Sequence, residues 1–353
     1  MTNIRAIISV ILLSILFSLT SCSDDTPVQP PETGFDSARY IWKVDTIPVH
    51  LFDIWAADTN EVYLLQLNQL ICWNGELYKS YSLPPGFKAY IIGGFSHNNV
   101  VIGGTDVSGY LSIVIWDGLS FTEKRLTDTA QSYCFPKSIL LTNQNNVWLG
   151  TTNGRVYNYV GSNTQVYYFD SLMYVGPFLS DAAQKIRFYG GIKYNHSIYD
   201  DSAKAFIYVF DSNDWTLEYF KRYTNLNQDT MLAVSNLNTE IIGLNTTGFF
   251  RYFPGQFTQF LGNSLFRNTP PFAGNSEDQF MTTGATNTEY DLFNWNGKKW
   301  SKENLKLEGP PDQKISYVNG NYWTYDYQSF IQSTIILHTT LNRKEKGKNI
   351  LHY

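Results

Sequence analysis

The side chains that most often carry out catalysis are thinly spread along this 353-residue chain. A His-Glu-x-x-His motif is absent, and the segments "GNSLF" and "GNSED" lack the second glycine of a Gly-x-Ser-x-Gly nucleophile turn. The histidines lie far apart without metal-ligand spacing; they are His50, His97, His196, His338 and His352. The sequence therefore predicts no catalytic residue, no metal site and no cofactor.

One segment, "GIKYNHSIYDDSA" at 191–203, combines aromatic, imidazole and carboxylate groups within a few residues. Functional residues concentrate in loops that a rigid scaffold positions. We therefore predict a ligand-binding site in this segment, formed by Tyr194, His196, Tyr199, Asp200 and Asp201. An inert, solvated hairpin extension is the alternative interpretation.

Carboxylates elsewhere suggest two further kinds of site. Asp53 lies on a predicted inner strand and could face a central channel, but a hydrogen-bonded structural role is the favoured interpretation. The polar turns at 58–61 and 143–146 hint at calcium, but neither completes the spaced oxygen-ligand loop. Ordinary turn chemistry accounts for both turns.

An aromatic–turn–aromatic phrase recurs along the chain, as "CWNGELY" at 72–78, "IWDGLSF" at 115–121 and "NWNGKKW" at 294–300. Asn-Gly or Asp-Gly between apolar segments favours a two-residue hairpin turn. The residue before each turn repeats at intervals of 42 or 43 residues, with one interval of 51. These residues are Trp73, Trp116, Tyr159, Phe210, Phe253, Trp295 and His338. Such a period, filled with strand-forming residues, is typical of a propeller.

Each repeat resolves into four antiparallel strands, which make one propeller blade. Six complete units end near Leu305, and a seventh lacks its fourth strand. The missing strand matches 40–47, because the segment from Trp42 to Ile47 resembles that from Trp300 to Leu305. We predict an all-β, seven-bladed propeller over 39–342, whose last blade is closed by the N-terminal strand. This pairing would remove two open sheet edges.

The thirteen prolines support this division. Proline cannot donate to a sheet ladder, so it should avoid strand interiors. Three prolines lie near the N-terminus, and Pro254 lies in a predicted turn. The remaining nine are predicted to lie in connectors between blades: Pro48, Pro84, Pro85, Pro136, Pro177, Pro270, Pro271, Pro310 and Pro311.

Two repeats resemble kelch-type propeller repeats. One contains Gly103-Gly104 followed by Tyr110 and Trp116, and the other contains "FYGG" at 188–191 followed by Trp215. Other repeats depart from this pattern, with Leu64-Leu65 and Thr282-Thr283 at the position of the glycine pair. The resemblance implies a propeller fold and a binding or scaffolding role.

The N-terminus is typical of a secreted protein. Arg5 precedes an apolar run from Ala6 to Leu19, which is short for a membrane span. The run ends in Leu19-Thr20-Ser21-Cys22, which resembles the lipobox of bacterial lipoproteins. The resemblance implies a signal peptide over 1–21, lipid on the Cys22 thiol and attachment to a membrane. An ordinary signal peptide with an incidental cysteine is the alternative.

A polar, proline-containing tether is predicted over 22–38, since it has too few apolar residues to join a core. Asp24, third in the mature chain, favours an outer-membrane location in the cell envelope. The remaining cysteines, Cys72 and Cys134, could pair in an oxidising compartment, but two buried thiols fit their sequence positions better.

Charge limits the choice of partner. The formal net charge is −5, so a nucleic-acid partner is not predicted. The basic run lies in a predicted C-terminal tail, 343–353, which is interpreted as solvated rather than bound to a membrane or polyanion.

Together these features predict an envelope-anchored binding or interaction module for protein or glycan, held to the lipid membrane by acylated Cys22. One alternative is a glycoside hydrolase or polysaccharide lyase that uses channel-facing carboxylates about 5–10 Å apart. Another is an envelope sensor or assembly lipoprotein, resembling the propeller that assists outer-membrane protein insertion. The Trp-containing repeats of that propeller are not visible in this sequence.

Overall fold

The computed structural model describes residues 40–73, 77–127, 134–171, 173–180, 183, 185–193, 203–211, 213–223, 233–237, 240–245, 248–262, 272–276, 279–286, 289–298, 300–303, 315–318, 321–328 and 333–341. The predicted signal peptide, Cys22, the tether and the basic tail lie outside these residues. Within the described ranges, no helix is long and apolar enough to cross a membrane.

The described residues form β-strands that follow the predicted repeat. The first fourteen are β1 (Tyr40–Ile47), β2 (Asp53–Ala56), β3 (Val62–Leu65), β4 (Gln69–Trp73), β5 (Tyr78–Ser82), β6 (Lys88–Ser96), β7 (Asn99–Thr105), β8 (Leu111–Trp116), β9 (Phe121–Arg125), β10 (Pro136–Asn143), β11 (Asn146–Thr151), β12 (Arg155–Val160), β13 (Asn163–Tyr168) and β14 (Tyr174–Ser180). The others are β15 (Ile186–Lys193), β16 (Ala203–Asp211), β17 (Asp214–Tyr223), β18 (Ala233–Leu237), β19 (Glu240–Asn245), β20 (Gly248–Phe253), β21 (Gln256–Gly262), β22 (Phe272–Ser276), β23 (Gln279–Thr286), β24 (Glu289–Trp295), β25 (Trp300–Lys302), β26 (Ser316–Val318), β27 (Asn321–Gln328) and β28 (Ser333–Leu341).

These strands pair into four-stranded antiparallel sheets. We number the strands of each sheet from first to fourth in the order in which they lie side by side. Six sheets, from β2–β5 through β22–β25, are built from four consecutive strands. A further sheet combines strands from both ends of the chain, in the order β1-β28-β27-β26. In that sheet Tyr40 pairs with Leu341, and Ile47 pairs with Thr334.

The first strand of each sheet contacts the first strands of its neighbours, in the order β2, β6, β10, β14, β18, β22, β26 and back to β2. Hydrogen bonds join some of these neighbours directly. The Ile92 N–H donates to Asp53 Oδ2 at 2.9 Å, and the Ser138 hydroxyl donates to the Val175 carbonyl at 3.3 Å. The first strands therefore surround a common axis. The prediction of an all-β propeller with four-stranded antiparallel blades is confirmed.

The core consists of apolar layers between successive sheets. One layer joins Tyr63 and Leu70 of the first sheet to Ile92 and Val100 of the second, and similar layers follow. The repeating aromatic residue is buried at Trp73, Trp116, Tyr159 and Trp295. Phe253 is an exception, since it is 44% exposed and the preceding Tyr252 is buried in its place.

The recurring phrase does form tight turns, but its turn residues are shifted from the predicted ones. In "IWDGLSF" the Asp117 N–H donates to the Ser120 carbonyl, so Gly118 and Leu119 are the central residues. Gly118 has a φ of 94°, which a glycine adopts without strain. The Asp117 carboxylate accepts the N–H groups of Leu119 and Ser120, which explains its place before the glycine. Asn74 and Gly75 lie outside the described residues.

Two prolines predicted in connectors lie within strands instead. Pro136 is the first residue of β10, and Pro177 lies in β14 between Val175 and Phe178, where the register with β15 shifts. Both positions are exceptions that proline tolerates, because neither requires a regular ladder N–H.

The glycine pairs that suggested kelch-type repeats lie on the second strands β7 and β15. A Cβ atom at Gly104 would collide with the Lys88 carbonyl oxygen and the Phe87 ring. Close approach of the backbone thus accounts for this glycine, and the family relation itself stays a prediction.

Candidate functional site

The ring has two different faces. The turns between first and second strands and between third and fourth strands lie on one face, which we call the turn face. The loops between second and third strands and the connectors between sheets lie on the other, which we call the connector face. Backbone hydrogen bonds join the elements of the connector face, for example from Leu83 N–H to Asn68 O and from Ala89 N–H to Leu67 O.

Exposed lysines and exposed or half-buried aromatic side chains surround the connector end of the first three inner strands. We call this set the connector-side rim: Phe52, Lys88, Tyr90, Phe135 and Lys137. Phe52 is 37% exposed and Phe135 is 39% exposed. The rings of Tyr90 and Phe135 meet edge to face, with centroids 5.2 Å apart, so the aromatic pair bridges two neighbouring sheets.

The pairing of the first strands is irregular at two of these side chains. The register between β6 and β7 shifts between Ala89 and Ile91, which leaves Tyr90 out of the ladder. The register between β10 and β11 shifts in the same way between Pro136 and Ser138, which leaves Lys137 out. Bulges of this kind re-aim a side chain and are common beside functional sites.

The burial pattern gives each rim strand the same arrangement. Buried Ala89 separates exposed Lys88 from half-buried Tyr90 on β6. Buried Pro136 likewise separates exposed Phe135 from exposed Lys137 at the start of β10. Each strand therefore presents one aromatic ring and one ammonium group to solvent at the connector face.

Nearby carboxylates are already engaged. Asp106, in the loop between β7 and β8, is 6% exposed. It accepts hydrogen bonds from the Ser108 and Tyr110 N–H groups at 2.8 and 2.9 Å and from Arg125 Nε at 2.8 Å. Burial alone would raise the pKa of the Asp106 carboxyl, but these donors outweigh it and hold the pKa below its usual value. Arg125 also stacks over the Tyr110 ring, 4.0 Å from its centroid.

Asp53 is a structural residue. Its side chain is 6% exposed, and its two oxygens accept the N–H groups of Ile54 and Ile92, both at 2.9 Å. It is the only carboxylate that the seven described first strands contain. These strands therefore do not offer the acid pair that a glycosidase mechanism needs.

The predicted ligand-binding residues Tyr194, His196, Tyr199, Asp200 and Asp201 lie outside the described residues. The flanking strand ends, Lys193 and Ala203, are paired with each other at the connector end of β15 and β16. That prediction stays open. Among the residues that the structure describes, no group of three or more His, Cys, Asp or Glu could hold a metal ion.

The two cysteines outside the signal region are free thiols. Cys134 is buried as predicted, whereas Cys72 is only half-buried. The Cys72 thiol lies 3.7 Å from Glu61 Oε1, and burial together with this carboxylate raises the pKa of Cys72 to about 11. A thiol with so high a pKa is a poor nucleophile near neutral pH.

The best-buried charged cluster lies near the turn face, between the fourth and fifth sheets. Arg187 donates to Glu218 through Nε at 2.6 Å and through Nη2 at 3.1 Å. The Tyr252 hydroxyl donates to the same carboxylate at 2.8 Å and accepts the Gly255 N–H. Arg187 is 3% exposed, and Glu218 links it to Tyr252 of the neighbouring sheet, so the cluster joins two sheets.

Replacement of Glu218 by Gln should reduce the free energy of unfolding by about 3 kcal/mol near pH 7, because it leaves the Arg187 charge buried without a carboxylate. Burial raises the pKa of Glu218, but hydrogen bonds from Arg187 and Tyr252 lower it by a larger amount. The pKa of Glu218 is therefore below its usual value. The stabilisation is therefore complete above the ordinary carboxyl pKa of about 4.3 and is lost as the pH falls through the lowered value.

Urea unfolding at several pH values tests this prediction. Glu240→Gln is the matched control, since the Arg251–Glu240 pair is 3.7 Å apart with side chains 31% and 34% exposed. An exposed pair of this kind contributes about 0–1 kcal/mol. Equal losses for Glu218→Gln and Glu240→Gln, or a Glu218→Gln loss that does not shrink in acid, would contradict the structural role.

No protein-family model matches the chain, and no curated protein matches its sequence. Solved structures do match its fold. The structure of YCF48 bound to a D1 peptide covers 88% of this chain and 100% of its own, with a TM-score of 0.58 and 11% identity. YCF48 from Cyanidioschyzon merolae covers 84% and 98%, with a TM-score of 0.56 and 10% identity.

A chain of the mitotic checkpoint complex covers 88% of this chain and 98% of its own, with a TM-score of 0.54 and 12% identity. Identities this low show the fold alone, because one fold hosts many functions. The comparisons thus agree with the strand pairing on one point: this chain is a β-propeller.

Proposed function

We propose that this chain is an envelope-anchored β-propeller lipoprotein that binds a partner protein through its connector face. The connector-side rim carries this proposal: it offers exposed aromatic rings on a rigid frame, and aromatic residues are enriched at protein interfaces. Similar propellers occur in complexes, since one neighbour is YCF48 bound to a D1 peptide and another is BBS1N in complex with ARL6DN.

The anchor and the rim would lie on opposite sides of the molecule. Tyr40, at the start of β1, pairs with Leu341, at the end of the third strand β28, and third strands end at the turn face. The tether would therefore join the propeller at the turn face. The predicted tether over 22–38 could extend at most about 60 Å. The connector face would then lie away from the point of attachment, where a partner can reach it.

The sheet made from both chain ends would act as the seventh, closing blade. Its inner strand β26 adjoins β2, and the Ala56 N–H donates to Ser316 Oγ at 3.4 Å across this junction. With that blade in place, every apolar sheet face has a neighbour.

A disulfide cross-link tests the closing blade. Val44 and Leu337 are register partners, so Val44→Cys with Leu337→Cys should form a bond, since opposed Cβ atoms lie about 5 Å apart. In the control, Val44→Cys with Thr340→Cys, the residues are three positions out of register and about 10 Å apart. Peptide mass spectrometry after mild oxidation reads out the bond. Cross-linking of the control pair alone would contradict the closure.

The lipid anchor gives a second prediction. Cys22→Ala should abolish incorporation of labelled fatty acid, because the thiol that would carry the lipid is gone. Cys72→Ala, which removes a thiol inside the propeller, is the control and should retain the label. If Cys22→Ala remains lipidated, the lipobox assignment is wrong.

Site-specific photo-cross-linking tests the interaction role. A benzoyl-phenylalanine in place of Phe135 should capture a defined protein in intact envelopes, whereas the same group in place of Phe253 should not. The two positions are matched, since both phenylalanines are exposed, by 39% and 44%, but Phe253 lies at a turn-face hairpin. No adduct at Phe135, or the same adducts at both positions, would count against a connector-face interaction.

A glycan could also stack on exposed aromatic rings, and the hydrolase or lyase alternative would need a pair of acids. The described first strands provide only Asp53, which is bound by two backbone N–H groups. The kelch-type relation and the outer-membrane location remain parts of the proposal.

A further inference from the structure

The connector-side rim combines two kinds of recognition group in alternation. Along each of two neighbouring strands, an aromatic ring and an ammonium group lie on either side of one buried residue: Ala89 on β6 and Pro136 on β10. An extended peptide places its own side chains at a similar alternating spacing. The rim therefore matches a peptide whose charged and apolar residues are neighbours.

The charge at the rim is positive. Lys88 and Lys137 are exposed, and neither forms a salt bridge with any residue that the structure describes. The carboxylates of the adjacent elements are already engaged, because Asp53 accepts two backbone N–H groups and Asp106 binds Arg125. His50 lies beside Phe52, with ring centroids 5.1 Å apart.

From this geometry we infer that the rim binds an extended, acidic segment of a partner protein in which Asp or Glu residues flank an apolar or aromatic residue. The apolar residue packs on the Tyr90–Phe135 ring pair, and the carboxylates pair with Lys88 and Lys137. Aromatic anchors of this kind commonly supply most of the affinity of an interface, and the flanking charges supply its selectivity. This inference rests on the proposed function and specifies the class of partner.

The two bulges make the site specific to this part of the ring. Tyr90 and Lys137 are the residues left out of the ladder at these two bulges. Two other first strands also have a register shift: β14 has Gly176 and Pro177 at its bulge, and β22 has Asn275, so neither places a charge or a ring there. The peptide site thus centres on the second and third sheets.

Fluorescence anisotropy with the full chain and a labelled peptide tests the inference. The probe is a peptide in which Asp and Glu flank a Phe-Leu pair, and the reference is its Asn/Gln counterpart. We expect the acidic peptide to bind and the amide peptide to bind at least about tenfold more weakly, with affinity falling as salt is added. Equal binding of both peptides would overturn the inference.

The variant Lys88→Gln/Lys137→Gln should weaken binding of the acidic peptide about tenfold, since each exposed ion pair contributes up to about 1 kcal/mol. The control Lys124→Gln/Lys298→Gln removes the same charge from exposed positions on the outer strand β9 and on a turn-face hairpin. Equal weakening by both variants would show a general charge effect and overturn the site. Thermal unfolding of each variant verifies that both are folded.

A charge exchange gives an independent readout. Lys88→Glu/Lys137→Glu should lose the acidic peptide and gain a peptide in which Lys replaces Asp and Glu. Rim-dependent binding of polygalacturonate in place of the peptide would assign the site to an acidic glycan and overturn the peptide assignment. A protein captured at Phe135 without acidic-peptide binding would refute this inference alone, whereas the absence of any captured protein would refute the proposed function as well.

Discussion

The fold depends on the burial of apolar side chains on both faces of its sheets. Each four-stranded sheet packs against one neighbour on either side, through layers such as Leu65–Ile92 and Val101–Leu149. A row of such sheets with free ends would leave two apolar faces in water, whereas a ring leaves none. A polar group buried between two sheets then needs hydrogen-bond partners from those sheets. Glu218 has such partners, because it accepts hydrogen bonds from Arg187 and from Tyr252 of the neighbouring sheet.

The same constraint explains why so much of the fold is readable from the sequence. A sheet buried on both faces needs strand-forming apolar residues in every repeat, and its hairpins need glycine at a fixed position. Both requirements recur once per sheet, so the sequence shows the repeat period directly. The strand predicted at 40–47 matches β1. The predicted central residues of the turn were wrong by one position. Asp117 precedes the central residues Gly118 and Leu119, and its carboxylate accepts the Leu119 N–H.

The candidate site was less predictable, for a local reason. Alternation of side chains identifies a strand, but it does not say which residue the ladder omits. Tyr90 and Lys137 lie at such omissions, and their sequence contexts, "KAYII" and "FPKSI", look like ordinary inner strands. Pro136 is the one available signal, since a proline at the start of a strand favours irregular pairing. Composition drew attention instead to 191–203, where the chemistry-bearing residues are densest.

The position of the chain ends then links the fold to the proposed role. Because β1 runs antiparallel to β28, the chain enters the propeller at the turn face and first reaches the connector face after Ile47. The proposed anchor before Tyr40 and the proposed binding rim at Phe52 would therefore be separated by the full length of one strand, about 25 Å. In this proposal, a fourth strand taken from the N-terminus would create the separation. A propeller closed by a C-terminal fourth strand would bring its N-terminal anchor to the connector face, beside the rim, where lipid and partner would compete for the same side of the ring.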